Sequence, residues 1–330
     1  MRDPEFWQER DGTARLATAL LSPIGALYGA SVAWKRDHAR PYRARAKVVC
    51  VGNLTVGGSG KTPIAISIAQ RLLRRGLKTL FLSRGYGGKE RGPIFVNPAH
   101  DIAEQIGDEP LLLARAAPTV VARNREHGAQ MADAAHADVI LMDDGHQNFA
   151  LEKDLSIVVV DAESGFGNGR IVPAGPLRES IAQGLNRADA VILSGKGEPP
   201  LKSFKGPVLR ASTIPAPGTN LRGTRVVAFA GIGRPDKFFS TLQSLGADVV
   251  ESKGFADHHV YTAAELARLK ARARDADAML MTTEKDFVRL HPPEREDITV
   301  LPITAQFDDE AGLERLLDRI ASPAIAPTQP

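Results

Sequence analysis

The chain contains a single cysteine, Cys50, in 330 residues. A lone thiol makes neither an internal disulfide nor a zinc site. Its place in the apolar run KVVCVG reads as a buried core thiol in a reducing compartment. A strong charge of one sign is also missing: 42 Lys and Arg against 39 Asp and Glu leave a formal +3, which by itself points to no nucleic acid partner. There is no internal repeat, and no low-complexity tract precedes the terminal SPAIAPTQP, which excludes a repeat architecture. What is present, 43% apolar and 25% charged residues, describes an ordinary soluble globular protein. The length suits two α/β domains.

Charge is absent from one stretch in particular. Leu16 to Trp34 (LATALLSPIGALYGASVAW) has no charged residue, whereas Lys35 to Lys47 carries six cations, Lys35, Arg36, Arg40, Arg43, Arg45 and Lys47, against one acid, Asp37. The apolar stretch is marginal in length for a membrane span, and Pro23, Gly25 and Gly29 make it a poor one. Those breaks and the long lead before it also argue against a signal peptide. Two readings stay open: a helical hairpin packed on the core, and an interfacial segment whose basic flank lies on anionic lipid.

Beyond it, apolar β-prone runs alternate with helical patterns. KVVCVGN, KTLFLSRG, APTVVAR, ADVILMDDG, LSIVVVDAE, ADAVILSG and PVLRAST read as strands, and KTPIAISIAQRLLRRG reads as a helix closed by Gly76. Continuous apolar strands are buried on both faces, as in a parallel sheet covered by helices. The fold class is therefore α/β, a doubly wound, mostly parallel sheet flanked by helices, with a second, smaller α/β domain after a linker. The expected divisions are 1–45 for the N-terminal segment, 46–212 for the first domain, a Pro- and Gly-rich linker at 213–224, the second domain at 225–322, and a disordered tail at 323–330. The second domain starts with RVVAFAGIG and ends with AMLMTTEKD and ITVLPIT.

The stretch VGNLTVGGSGKTP follows the first strand and opens the first helix. It approximates the phosphate-binding pattern G-x-x-x-x-G-K-[ST], with Thr55 where the first Gly belongs. Thr55, Val56, Gly57, Gly58, Ser59, Gly60, Lys61 and Thr62 are the expected nucleotide-binding residues. The glycines let backbone N–H groups converge on phosphate oxygens at a helix N-terminus. Lys61 would reach the β- and γ-phosphates and the Thr62 hydroxyl would ligate Mg²⁺, so ATP and Mg²⁺ are the implied cofactors. ATPases that position other molecules on membranes carry a signature lysine where this chain has Val56. A second magnesium anchor belongs at the end of a neighbouring buried strand, where Asp143 and Asp144 stand. In GDEP, Asp108 and Glu109 fit either a base near an acceptor hydroxyl or an N-cap and first-turn acid. In FADHHVYT, Asp257, His258 and His259 fit metal or proton chemistry, or a polar loop. From these residues alone, a P-loop kinase with a soluble acceptor and a regulatory NTPase also remain open.

VGNLTVGGSGKTP, LSRGYGG, GDEPLLLA, MDDGHQ, AGPLRE, AFAGIGRPDKFF, FADHH and TTEKD occur in this order and span most of the chain. The set closely resembles the tetraacyldisaccharide 4′-kinase family, the lipid A 4′-kinases of Gram-negative bacteria. The resemblance implies ATP-dependent phosphorylation of the 4′-hydroxyl of a tetraacylated glucosamine disaccharide 1-phosphate, by a P-loop-type α/β domain, its mostly parallel sheet flanked by helices, to which the second, smaller α/β domain is joined by a hinge. It places the protein peripherally on the cytoplasmic face of the inner membrane, touching its anionic surface through the N-terminal helix, with no nucleic acid and no obligate protein partner. It makes Asp108 the general base, His258 its partner (with His259 as the alternative), and Lys61 the catalytic P-loop lysine. Thr62, Glu109 and Asp143 become the metal site, supported by Asp144. Arg84 and Tyr86 of SRGYG become acceptor-binding residues, with Arg125, Gln147, Asn148 and Arg178 as further substrate contacts. Many relatives read D-D-G-F-Q-H where this chain has DDGHQN, so Asn148 stands in place of a histidine: it can hydrogen-bond but carries no charge. A four-chain lipid cannot leave the bilayer cheaply, at roughly 0.8 kcal/mol per buried CH₂, which gives the apolar N-terminal segment a reason to be interfacial.

Overall fold

The computed structural model describes residues 4–8, 11–201 and 204–321; the expected tail at 323–330 lies outside the described residues. After a short 3-10 turn at Glu5–Trp7 come a long helix, α1 (Gly12–Asp37), then β1 (Lys47–Gly52), α2 (Lys61–Arg74), β2 (Thr79–Ser83) and β3 (Ile94–Phe95). Next come α3 (Ala103–Ile106), α4 (Asp108–Ala114), β4 (Thr119–Val121), α5 (Arg125–Ala134) and β5 (Val139–Asp143). β6 (Leu155–Asp161), α6 (Ile181–Leu185), β7 (Ala190–Ser194) and β8 (Val208–Pro215) complete this part. A smaller unit follows: β9 (Arg225–Ala230), α7 (Pro235–Ser244), β10 (Asp248–Gly254), α8 (Ala263–Asp275), β11 (Met279–Thr283), α9 (Glu284–Phe287) and β12 (Ile298–Leu301). The described residues end in β13 (Ile303–Phe307) and α10 (Glu310–Ala321).

The large sheet has nine strands in the order β13-β8-β7-β6-β1-β5-β2-β4-β3, and the small one has four, β10-β9-β11-β12. All neighbours in the small sheet run parallel. In the large sheet only the two edge pairs, β13 with β8 and β3 with β4, are antiparallel. Val, Ile and Leu dominate the central strands because both faces are covered: every residue of β2 and β5 is buried. The chain leaves β1 towards β2 on one side, and leaves β5 for β6 on the other side of β1. The crevice beyond the carboxyl end of β1 is therefore a topological switch point, where ligands of such sheets bind.

Two expectations need correction. ITVLPIT is not one strand of the second domain. Pro302 interrupts it: β12 stays in the small sheet, while β13 crosses back to pair with β8 in the large one. The second unit thus ends near residue 301 rather than 322. α10 then packs on α2, with Leu313, Leu316, Leu317 and Ile320 joining Ile64, Ile68 and Leu72 in one core. Arg71 reaches Glu310 and Glu314 at 2.7 and 2.8 Å, and Arg75 reaches Glu314 and Asp318, along the same seam. The N-terminal segment is likewise no hairpin but one continuous 26-residue helix through Pro23. Its small face fits a loop of the large unit: a Cβ added at Gly25 would lie 2.7 Å from the Ile171 carbonyl oxygen. Its other face, Leu16, Leu20, Ile24 and Leu27, is exposed.

The return of the chain makes a prediction. Leu317 is fully buried, so Leu317→Ala should destabilise the large unit by about 2–5 kcal/mol. Thermal melting followed by nucleotide protection should report the loss, although the substitution lies far along the sequence from the phosphate loop.

Candidate active site

The phosphate loop is shaped from both ends. β1 delivers Gly52 to the sheet's carboxyl edge, and the loop is pinned beside it: the Val56 N–H donates to the Pro176 carbonyl at 2.8 Å, and Arg178 N–H to the Leu54 carbonyl at 2.8 Å. Thr55 bridges Leu177. AGPLRE therefore acts as a splint for the loop, a relation its sequence does not announce. Gly60 caps α2 in the left-handed region (φ 75°), where a Cβ would meet Ser194 Oγ at 2.6 Å; only glycine fits. Gly57 is also left-handed (φ 99°), and a Cβ at Gly58 would meet open space. The N-terminus of α2 has no side-chain cap and no acid in its first turn, leaving its N–H groups for an anion. Thr62 is half-buried there, and the buried Ser59 hydroxyl has no protein partner.

Parallel pairing aligns Val51 of β1 with Asp143 of β5, so the acid stands beside the loop. Asp143 is buried and neither of its carboxylate oxygens has a hydrogen-bond partner. Burial, then repulsion from Glu109, pushes its pKa up to about 8 against the pull of Lys61. Asp144 follows in the left-handed region (φ 51°) and differs in partners: Arg178 Nη1 donates to it at 2.8 Å and Lys61 Nζ lies 3.6 Å away. Burial opposes its charge, but Lys61 and Arg178 outweigh that and lower its pKa.

This orphaned carboxylate is the observation that tests a magnesium site. Among the described residues no cluster of three or more His, Cys, Asp or Glu forms a closed metal cage. Mg²⁺ needs none: it takes one or two carboxylates and fills its octahedron with water and phosphate oxygens. Asp143, Glu109 and the Thr62 hydroxyl fit that donor set.

Asp108 lies in α4, and the cap of that helix is Gly107, which makes no side-chain bond. The N-cap reading of Asp108 is thus set aside. Its Oδ1 accepts the Glu109 N–H at 3.0 Å, while Oδ2 faces the small unit. There His258 Nδ1 lies 3.1 Å away, and Arg289 donates twice, from Nε at 3.0 Å and Nη2 at 2.8 Å. Burial works against the charge on Asp108, yet His258 and Arg289 hold the carboxyl well below the usual range. His259 is occupied elsewhere: its Nε2 lies 3.2 Å from Glu265 and its ring stacks on Phe255. The first histidine of the pair, not the second, meets Asp108.

The SRGYG loop sits against this acid. A Cβ at Gly107 would lie 2.5 Å from the Tyr86 carbonyl oxygen, and one at Gly88 would lie 2.5 Å from that of Gln105. Arg84 and Tyr86 are exposed beside it. Four expected substrate contacts are otherwise engaged. Arg125, at the start of α5, is buried and turned back on the Ala122 carbonyl; burial and then Arg84 lower its pKa to about 10. Arg178 holds Asp144. Gln147 bonds the Asn53 carbonyl at 2.9 Å and Glu179 at 3.0 Å. Asn148 accepts from the Ala150 N–H at 3.2 Å and lines a cavity of about 290 Å³ with Arg36, Pro41 and Lys153. Of the four, Arg178 and Gln147 contact the site's own residues, Asp144 and the Asn53 carbonyl, while the side chains of Arg125 and Asn148 are engaged with neighbouring backbone. Arg289, which also meets Asp108, carries no signal in the sequence beyond its place four residues after the lysine of TTEKD.

With this geometry in view, comparisons with known proteins agree among themselves. The family described as tetraacyldisaccharide-1-P 4′-kinase matches residues 17–322. The tetraacyldisaccharide 4′-kinase of Rhodospirillum centenum is 48% identical over 328 residues, covering 98% of this chain and 97% of the relative. That of Methylobacterium nodulans is 49% identical over 340 residues, covering 100% and 98%. A crystal structure of LpxK from Aquifex aeolicus in complex with ATP superposes with a TM-score of 0.74 at 27% identity, covering 92% of this chain and 99% of that one.

The raised Asp143 carboxyl makes a testable pair of curves. Its folded pKa lies above its ordinary value, so the folded state binds the extra proton and stability falls as pH rises towards about 8. Asp143→Asn removes that titration. In metal-free buffer the variant should melt at a higher temperature than wild type at pH 8, with the gap closing towards pH 5, while its Mg²⁺-dependent turnover is lost. A gap independent of pH between 5 and 8 would contradict the assignment.

Proposed function

The chain belongs to the tetraacyldisaccharide-1-P 4′-kinase family, and from that premise we propose how its own residues carry the reaction. The protein is an ATP-dependent kinase that phosphorylates the 4′-hydroxyl of a tetraacylated disaccharide 1-phosphate in lipid A biosynthesis. The observation that carries the mechanistic reading is the contact of His258 Nδ1 with Asp108 Oδ2 at 3.1 Å, made between the two units. Phosphoryl transfer asks little covalent chemistry of a protein. It asks for alignment, charge neutralisation and a place for the acceptor's proton.

The loop from Gly57 to Thr62 offers its N–H groups to the phosphates, and Lys61 follows the charge that spreads over the transferred group. Thr62, Asp143 and Glu109 would hold Mg²⁺, which when bound neutralises phosphate charge and lowers the barrier to an incoming oxygen. Asp144, fixed by Arg178, keeps Lys61 aimed at the loop. The acceptor lies against SRGYG, where Arg84 and Tyr86 present a cation and a ring. Asp108 then takes the proton of the 4′-hydroxyl as its oxygen bonds to phosphorus and the bond to ADP breaks. His258 orients that carboxylate and takes up part of the developing positive charge.

The same reading puts the protein on the bilayer as a peripheral enzyme of the cytoplasmic face of the inner membrane. α1 is long and apolar enough to cross a membrane by length and composition, but it is laid along the body through Gly25 and Gly29. Its exposed residues Leu16, Leu20, Ile24 and Leu27 recur every three or four positions and so form one stripe, a face suited to the acyl boundary. Trp34 at its end is exposed too, and aromatic rings of this kind settle at headgroup level. A soluble acceptor would leave this stripe without a use.

Two measurements test these statements. In transfer of label from γ-labelled ATP to a tetraacyl disaccharide 1-phosphate in mixed micelles, Asp108→Asn should lower turnover about 10²–10⁴-fold, with ATP binding retained. Wild-type turnover would remove Asp108 as the base. For the membrane, the cations must be chosen with the structure in hand. Arg43 is paired with Glu152 and Asp154, and Lys47 with Asp154, whereas among the described residues Lys35, Arg40 and Arg45 make no ion pair. Reversing these three to Glu should weaken binding to anionic vesicles by about 1 kcal/mol per residue, in a salt-dependent manner, with ATP binding intact. Equal co-sedimentation of variant and wild type would exclude the basic flank as the lipid contact.

A further inference from the structure

Arg289 lies just past α9, buried at the seam between the units. One edge of its guanidinium is fastened within the small unit: Nη1 donates to the Gly231 carbonyl at 2.7 Å and to Asp286 Oδ1 at 2.9 Å. Asp286 is itself fixed, since it accepts from the Tyr261 hydroxyl at 2.9 Å, the Gly231 N–H at 3.0 Å and the Thr283 hydroxyl at 2.6 Å. The other edge crosses to the large unit, where Nε and Nη2 both reach Asp108 Oδ2. Nη2 also lies 3.2 Å from His258 Nδ1. A planar, five-donor fork is the side chain that can be anchored on one edge and still direct two groups on the other.

A second arginine crosses between the units: Arg234 meets Asp161 at 3.1 Å and Glu163 at 2.8 Å. More than half of its side chain is exposed, so water and salt screen that pair and it adds little. Arg289 is nearly excluded from water, and there its geometry is enforced. Stability is a poor reason for it, because a buried ion pair recovers little more than its desolvation cost. Its contacts point to the reacting groups instead. With a hydrogen on Nδ1, His258 donates to Asp108; without one, Nδ1 accepts from Arg289 Nη2. The imidazole is held in register with the carboxylate under either tautomer.

We propose that Arg289 is a positioning residue for phosphoryl transfer, carrying the small unit's order onto the Asp108 carboxylate and the His258 ring when the two units close on each other. This rests on the reading of Asp108 and His258 as base and partner. Full-length wild type, Arg289→Gln, Arg289→Lys, His258→Ala, Asp108→Asn and the double variant Arg289→Gln/His258→Ala would be compared in the micellar transfer assay, each with its melting temperature. Loss of alignment should lower the kcat of Arg289→Gln about 10²-fold while KM for ATP stays within about two-fold. Arg289→Lys keeps the charge but not the fork, and should recover about ten-fold of that loss. Because the residues act as one unit, the double variant should fall no more than about three-fold below the worse single variant. Arg289→Gln within about two-fold of wild-type kcat, beside inactive Asp108→Asn and His258→Ala, would overturn the proposal and leave the base reading standing. Losses that multiply in the double variant would also overturn it. Wild-type turnover in Asp108→Asn would overturn the base reading and the positioning role together. Should Arg289→Gln fail to fold, Arg289→Lys decides: lowered kcat at unchanged KM supports the proposal, and wild-type kcat overturns it.

Discussion

The site depends on the parallel pairing of β1 between β5 and β6. That register sets Val51 against Asp143 and Gly52 against Val158, so the loop leaving β1 and the acid ending β5 arrive at the same edge. A slip of one residue would turn every side chain of the strand to the opposite face. It would put Met142 or Asp144 where Asp143 now stands. The register is held by cores on both faces of the sheet, one around Val49, Val51, Ile64 and Leu141, the other around Val48, Cys50, Ile140 and Met142. The lone cysteine is thus a packing residue, and burial raises its pKa further, which keeps it an inert thiol.

What this edge then assembles is a charge problem that the protein leaves deliberately unsolved. Asp143, Asp144 and Glu109 converge with Lys61 at this edge, Asp143 buried and the other two acids half-buried. Asp144 is satisfied by Arg178 and Lys61, while Asp143 is given no donor. An unpaired buried carboxylate costs stability, and such costs persist in proteins chiefly where a ligand relieves them. The two neighbouring acids have opposite pKa shifts because Asp144 has Lys61 and Arg178 as partners, whereas Asp143 is buried beside Glu109 with no hydrogen-bond donor. Asp108 stands at the other extreme: fully partnered, held ionised, and unable to retain a proton without disturbing two groups of the small unit. In its proposed role as base, a carboxylate held so low would accept a proton only as the acceptor oxygen loses electron density to phosphorus, tying proton movement to bond formation.

Much of this was legible in residues. VGGSGKT, MDDG and GDEP announce their chemistry because local sequence dictates it: a left-handed glycine before a helix, an acid at the end of an apolar strand. The parts that escaped depend on where distant segments meet. Nothing within ITVLPIT distinguishes a strand that stays from one that leaves, and the decision rests on Pro302 and on the open edge of β8. Arg289 looks like any surface arginine until Gly231, Asp286 and Asp108 are placed around it. Arg43 and Lys47 counted as membrane cations until Asp154, more than a hundred residues away, was found between them. The pair of histidines could not be ranked from sequence. The ranking follows from Glu265, which caps α8 together with Thr262 and draws His259 away.

Two surfaces of the molecule therefore have to be satisfied at once, and their physics differ. α1 contributes a stripe of exposed apolar area and cations at one end, interactions that are additive, nondirectional and tolerant of position. The seam between the units contributes a few directional contacts that fail if displaced by an ångström. A lipid acceptor couples them. On the proposed peripheral placement, its acyl chains would fix how far the disaccharide rises from the bilayer, and the height at which α1 settles would limit how the 4′-hydroxyl approaches Asp108. The loose interaction would set depth and the tight one alignment, and the splint of AGPLRE joins the two regions: Ile171, against which Gly25 and Gly29 of α1 rest, bridges Leu177, which bridges Thr55 of the phosphate loop. A change at the α1 contact, such as a side chain at Gly25, would on this reasoning disturb the phosphate loop through three contiguous contacts while leaving the seam at Arg289 untouched.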